Sequence, residues 1–111
     1  YMVAAFGGSD VRVSGYATFG TAALSALAVQ ALEGRSACLL ANHGSVVFGP
    51  SLERAMWLAV ELETLARQYI TSLALGGPVL LDEAQIAEAA AKFAGYGAGA
   101  PDRLPKPEVI R

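Results

Sequence analysis

The chain has 111 residues, of which 54% are hydrophobic and 16% charged, and its net charge is −2. That length allows one domain at most, and a chain this short buries only about two-thirds of its unfolded surface. Typical domains carry about 25% charged residues, so the shortage of polar surface predicts apolar area covered by other chains or by further polypeptide. An Ala- and Gly-rich thermostable composition is the competing source of the same shortage. With no basic block, nucleic acid is not expected as a main partner. No apolar run reaches the ~20 residues of a membrane span, because Thr71, Ser72, Gly76, Gly77 and Pro78 interrupt the stretch from Ile70 to Leu81. Cys38 is the only cysteine, which rules out an internal disulfide and leads to the expectation of a reducing, cytoplasmic location. The chain begins Tyr1-Met2-Val3-Ala4-Ala5 without a charged-then-apolar leader, and it reads like the interior of a longer protein.

Along the chain, Gly7-Gly8 forces a turn and Val11-Arg12-Val13 alternates like a short strand. Thr21 has the chemistry of a helix N-cap, and the helix it opens is expected to run to about Glu33 and stop at Gly34. Ser36 to Ala41 reads as a buried strand, Asn42-His43-Gly44 as a turn, and Ser45 to Phe48 as a second strand antiparallel to the first. Ser51 caps the longest predicted element, a helix from Leu52 to about Ala74. Its apolar residues form two adjacent stripes, one through Leu52, Met56, Leu62 and Ile70 and one through Leu58, Leu65 and Tyr69. That face is wider than a surface helix needs. Gly76-Gly77-Pro78 breaks the chain, and Asp82 with Gln85 forms a capping box for a third helix from Glu83 to about Phe93. The Gly- and Pro-rich end from residue 98 to 111 is expected to be an extended strap or disordered.

His43 is the only histidine. A turn at the end of a buried strand can aim an imidazole into a cleft, and Gly44 would allow close backbone approach or positive φ; the plainer possibility is a capped turn. Zinc takes three or four nitrogen, sulfur or carboxylate ligands. Glu53, Glu61 and Glu63 read as solvated helix charges, and Cys38 as a buried inert thiol. If His43 binds metal, the other ligands lie outside these residues. Tyr1, Tyr16, Phe19, Phe93 and Tyr96 sit near chain breaks, where aromatics serve as pocket walls, interface anchors or ordinary packing. Gly95-Tyr96-Gly97-Ala98-Gly99 follows a helix instead of opening one, so it does not match a dinucleotide-binding turn.

The order of motifs carries a resemblance. Tyr1 to Ala5, Gly7-Gly8, Tyr16-Ala17-Thr18-Phe19-Gly20-Thr21, Leu39 to Gly44, Leu52 to Ala59, Lys92-Phe93 and Tyr96-Gly97 occur in sequence. Together they resemble the class II aldolase/adducin family, and within it most nearly the L-fuculose-1-phosphate aldolases. The resemblance covers residues 1–97 and implies the C-terminal half of an α/β subunit, a three-layer α/β/α fold with a mainly antiparallel central sheet, followed by the 98–111 tail.

The resemblance implies a zinc-dependent aldolase cleaving a ketose 1-phosphate to dihydroxyacetone phosphate and an aldehyde through a metal-stabilised enediolate. His43 matches one of three zinc-binding histidines. The other two belong to an upstream His-x-His element that this chain lacks, as it lacks the general base and the phosphate loops. Tyr1 and Tyr96 match catalytic phenols contributed by the neighbouring subunit of a homotetramer, Tyr1 as proton donor to the aldehyde oxygen. Phe19 and Phe93 match the wall beside the aldehyde's methyl group. The expected partners are the sugar-phosphate substrate, the missing N-terminal half and further subunits, and the fragment alone is expected to be inactive. Family members also include pentulose-phosphate 4-epimerases, dehydratases, decarboxylases and non-catalytic adducin-like modules. Asn42 stands where the fuculose-phosphate enzymes carry a histidine, a departure beside the metal ligand.

Overall fold

The computed structural model describes residues 1–95; the expectations for Tyr96 and for the 98–111 tail lie outside them. In chain order these residues form a 3-10 helix at Met2–Phe6, β1 at Arg12–Ser14, α1 at Ala22–Ala31, β2 at Ala37–Leu40, β3 at Gly44–Val47, α2 at Leu52–Ala74 and α3 at Glu83–Gly95. None of the described helices is long and apolar enough to cross a membrane.

The helix starts follow the cap chemistry of the sequence. Thr21 Oγ1 accepts from the Leu24 N–H at 3.2 Å, and Ser51 Oγ accepts from the Arg54 N–H at 3.2 Å. At α3 the box is reciprocal: Asp82 Oδ1 accepts from the Gln85 N–H at 2.8 Å while Gln85 Oε1 accepts from the Asp82 N–H at 2.9 Å. Each such bond satisfies a backbone donor that the first turn leaves without an intrahelical partner. At the other end of α1, an Arg12 terminal N–H donates to the Ala31 and Glu33 carbonyls at 3.3 and 2.6 Å. Gly34 follows with φ 66°, the left-handed stop expected of it.

The sheet has the order β1-β2-β3. β2 and β3 pair antiparallel, with Leu40 opposite Gly44, as the tight connection predicts. β1 and β2 pair parallel, with Val13 opposite Leu39, and α1 is the crossover that a parallel pair requires. One of the two pairings in this three-stranded sheet is therefore parallel.

Strand alternation sends Ala37 and Leu39 to one face and Cys38 to the other. Ala37 belongs to the buried cluster with Phe6, Leu58 and Leu62, and Ala5, Val11, Leu39, Val47 and Leu65 pack around it. Cys38 is fully buried in the layer where α1 meets β1 and β2. Helices thus cover both faces of the sheet. The 3-10 helix went unpredicted; it lies against α2 and α3 and contributes Phe6, at 0% exposure, to the core.

The wide face of α2 divides. Leu58 and Leu62 are buried, while Leu52, Met56, Ile70 and Leu73 remain exposed. Burying the first pair is worth about 1.5–3 kcal/mol per side chain. The second set is the uncovered apolar surface that the composition predicts.

Candidate functional site

Tyr1 occupies the N-cap position of the 3-10 helix, and its carbonyl accepts from the Ala4 N–H at 3.0 Å. That helix places the phenol against Phe93 on the last turns of α3. The ring centroids are 6.1 Å apart, tilted by 46°, within the range of favourable aromatic pairs. Residues from opposite ends of the described chain thereby form one wall of an open cleft of about 940 Å3. Met2, Ala4 and Ala5 come from the 3-10 helix, Arg54 and Trp57 from the start of α2, and Gln85, Glu88 and Lys92 from α3.

The cleft carries charge unevenly. Lys92 Nζ lies 2.8 Å from Glu88 Oε1, and the ammonium holds the Glu88 carboxyl below the usual carboxylate range. Arg54 has no ion-pair partner among the described residues. Its guanidinium carbon stands 4.2 Å from the centroid of the Trp57 ring, a cation–π contact worth about 0.5–1 kcal/mol at an exposed site. Sequence reasoning did not place Arg54 and Trp57 in a site. Their spacing of three on the first turn of a helix was the available signal, since it puts both on one face.

His43 lies elsewhere. It closes the β2–β3 turn, its backbone N–H donating to the Leu40 carbonyl at 3.1 Å. The residue is exposed, and among the described residues nothing hydrogen-bonds its imidazole. Asn42 takes the left-handed conformation with φ 55°, the only described non-glycine residue to do so. The expectation of positive φ at Gly44 is corrected, since it is absent from the positive-φ residues, and the space where its Cβ would stand is open to 4 Å. Asn tolerates this geometry through short local hydrogen bonds, so the turn is made one residue before the histidine.

Phe19 is 76% exposed on the turn before α1 and does not line the Tyr1–Phe93 cleft. The structure therefore brings Tyr1 and Phe93 together and leaves Phe19 and His43 outside their cleft. Among the described residues no group of three His, Cys, Asp or Glu side chains could hold a metal ion. Cys38 is buried, and Glu63 is paired with Arg67 at 3.1 Å. These residues do not make a zinc site alone. An exposed imidazole on a fixed turn fits one ligand of a shell closed by other polypeptide.

Comparison with known proteins places these features in a family context. The model of the class II aldolase and adducin N-terminal domain matches residues 1–70. The 5-methylthioribulose-1-phosphate/5-deoxyribulose-1-phosphate aldolase of Rhodospirillum rubrum is 49% identical over 107 residues, covering 96% of this chain and 48% of that protein. The L-fuculose phosphate aldolase of Escherichia coli K12 is 46% identical over 98 residues, covering 87% of this chain and 46% of that protein. A solved L-fuculose 1-phosphate aldolase superposes with a TM-score of 0.81 at 41% identity, covering 84% of this chain and 43% of that one. The chain spans about half the length of the curated relatives it matches.

Proposed function

The chain belongs to the class II aldolase and adducin family, and from that premise we propose that it is the C-terminal half of a zinc-dependent aldolase subunit. The reaction is reversible cleavage of a ketose 1-phosphate to dihydroxyacetone phosphate and an aldehyde. The observation that carries this reading is the contact of Tyr1 with Phe93 in one open cleft. The pair sets an apolar wall beside a phenolic proton donor, which is what the carbon end and the oxygen of an aldehyde require.

In this account His43 supplies one imidazole to a zinc ion whose other donors come from polypeptide outside the chain. Bound zinc would supply Lewis-acid polarisation of substrate oxygens. Tyr1 holds the proton exchanged at the aldehyde oxygen: it donates in the condensation direction and recovers the proton from the hydroxyl in cleavage. Tyr96 serves as a second phenol. Phe93 walls the apolar end of the aldehyde half, and Phe19, outside this cleft, joins it across the interface with a neighbouring subunit. The exposure of Tyr1 at 67% and Phe19 at 76% suits residues completed by a neighbouring subunit, so the reading includes a homotetramer, in the cytoplasm.

Two substrate types are named among the relatives: L-fuculose phosphate, and 5-methylthioribulose or 5-deoxyribulose 1-phosphate. Met2, Trp57, Leu81 and Phe93 in the cleft suit an aldehyde half with an apolar terminal group. The test is a panel of ketose 1-phosphates given to the zinc-loaded complete subunit, with dihydroxyacetone phosphate release followed by a coupled dehydrogenase. Cleavage that stops with chelator is expected. Epimerisation of a pentulose phosphate without cleavage, or no turnover of any substrate, would overturn the aldolase assignment.

A further inference from the structure

We propose that Arg35 is the positioning residue for the Tyr1–Phe93 pair, holding the turn from which the Tyr1-bearing 3-10 helix projects. Its catalytic consequence rests on the aldolase reading; its structural content does not.

The Arg35 side chain is only 15% exposed, and its guanidinium reaches acceptors on both sides of a chain crossing. Nε donates to Asp10 Oδ1 at 2.8 Å and to the Asp10 carbonyl at 3.1 Å. One terminal N–H group donates to the Gly7 carbonyl at 3.3 Å and the Gly34 carbonyl at 3.0 Å. A guanidinium presents five N–H donors in a fixed planar fork, whereas an ammonium presents three on a flexible stem. The Gly7-Gly8 pair is shaped to admit it. A Cβ on Gly8 would lie 2.1 Å from Arg35 Cζ. Gly7 has φ 97°, and a Cβ there would lie 2.9 Å from the Gly34 carbonyl oxygen. Two glycines that read in the sequence as a generic turn thus lie against a largely covered guanidinium.

The clasp sits at one end of a short lever. Phe6 is locked in the core, and its carbonyl accepts from the Ser36 N–H at 2.9 Å. Tyr1 is at the far end of a helix of five residues. At about 2 Å rise per residue, Tyr1 stands roughly 12 Å from Gly7. A tilt of about 10° at the turn would then move the phenol by roughly 2 Å, and misplacement by about 1 Å can cost ~100-fold in rate. Arg12 provides the contrast. Its hydrogen bonds go to the end of α1, and it meets the clasp only at 4.0 Å from Asp10 Oδ1, against 2.8 Å for Arg35.

The experiment uses the complete subunit with Arg35→Gln, Arg35→Lys, Asp10→Asn and, as control, Arg12→Gln. Arg35→Gln and Arg35→Lys are expected to lower kcat about 10- to 100-fold while KM and zinc content stay within about twofold. Asp10→Asn, which removes the charge but not the acceptor from one arm at an exposed carboxylate, should lower kcat several-fold and keep the fold. Arg12→Gln should lower thermal stability and leave kcat unchanged. A crystal structure of Arg35→Gln or, if that variant does not fold, of Asp10→Asn should show the Tyr1–Phe93 centroid distance lengthened from 6.1 Å. An unchanged distance, or kcat within twofold in every variant that folds, overturns the proposal. If the distance lengthens but Tyr1→Phe retains full activity, the positioning role stands and the catalytic role of Tyr1 falls.

Discussion

Phe6 offers the clearest quantitative check on how the site is held, because its side chain is 0% exposed among Ala37, Leu58 and Leu62. Full burial of a phenylalanine side chain is worth about 1.5–3 kcal/mol. Truncation to alanine also leaves a void among Ala37, Leu58 and Leu62. A residual cavity of roughly 50–80 Å3 adds about 1–2 kcal/mol at 24 cal/mol per Å3. Phe6→Ala should therefore cost about 3–5 kcal/mol, in line with buried Phe→Ala changes elsewhere. In a subunit of the relatives' size, at roughly 2–4 °C per kcal/mol, that is a fall in Tm of about 6–20 °C. Thermal unfolding of the complete subunit followed by far-UV circular dichroism measures it. A loss below about 1 kcal/mol, the typical effect of an arbitrary substitution, would mean that Phe6 does not anchor the 3-10 helix, and the placement of Tyr1 would lose its support.

Gly7→Ala should cost about 1–3 kcal/mol, since a non-glycine residue is strained at φ 97° and its Cβ meets the Gly34 carbonyl; chemical denaturation reads the loss. Ser51→Ala should cost about 1 kcal/mol by removing the bond to the Arg54 N–H, again read from the unfolding midpoint. Burial pushes the Cys38 thiol up from its ordinary value of 9.0. The native protein should therefore resist alkylation at pH 8 and react once unfolded in urea. The folded state prefers the protonated thiol, so this contribution is complete below the unfolded pKa and is lost as pH rises through the folded pKa.

Local chemistry in the sequence anticipated most of the elements. Thr21, Ser51 and the Asp82–Gln85 pair each start a helix where cap hydroxyls and carboxylates predict one, and α2 runs from Leu52 to Ala74 as its spacing implies. The strands fall within a residue or two of expectation. Two things were not readable. The 3-10 helix is too short for a periodic signal, and its single buried residue, Phe6, gives no stripe. The parallel pairing of β1 with β2 depends on a long-range register that neither three-residue pattern nor hairpin chemistry encodes. The two stripes on α2 were visible, but the arrival of Phe6 and the sheet buries one member of each, Leu62 and Leu58, and leaves Leu52, Met56, Tyr69 and Ile70 outside.

The candidate site was visible as residue types but not as an assembly. Tyr1 and Phe93 meet because the 3-10 helix lies against α3, an arrangement no local pattern contains. Arg35 looked like an ordinary residue between α1 and β2, and its partners are 25 and 28 residues away in sequence. His43 was placed on its turn by the strand–turn–strand pattern, although Asn42 takes the strained conformation expected at Gly44.

The account turns on His43 as a metal ligand shared with polypeptide outside the chain. Elemental analysis of the complete subunit before and after His43→Ala tests it most directly. Stoichiometric zinc in the parent protein, lost from a folded His43→Ala variant, is the predicted result. Zinc retained undiminished after the exchange would contradict it.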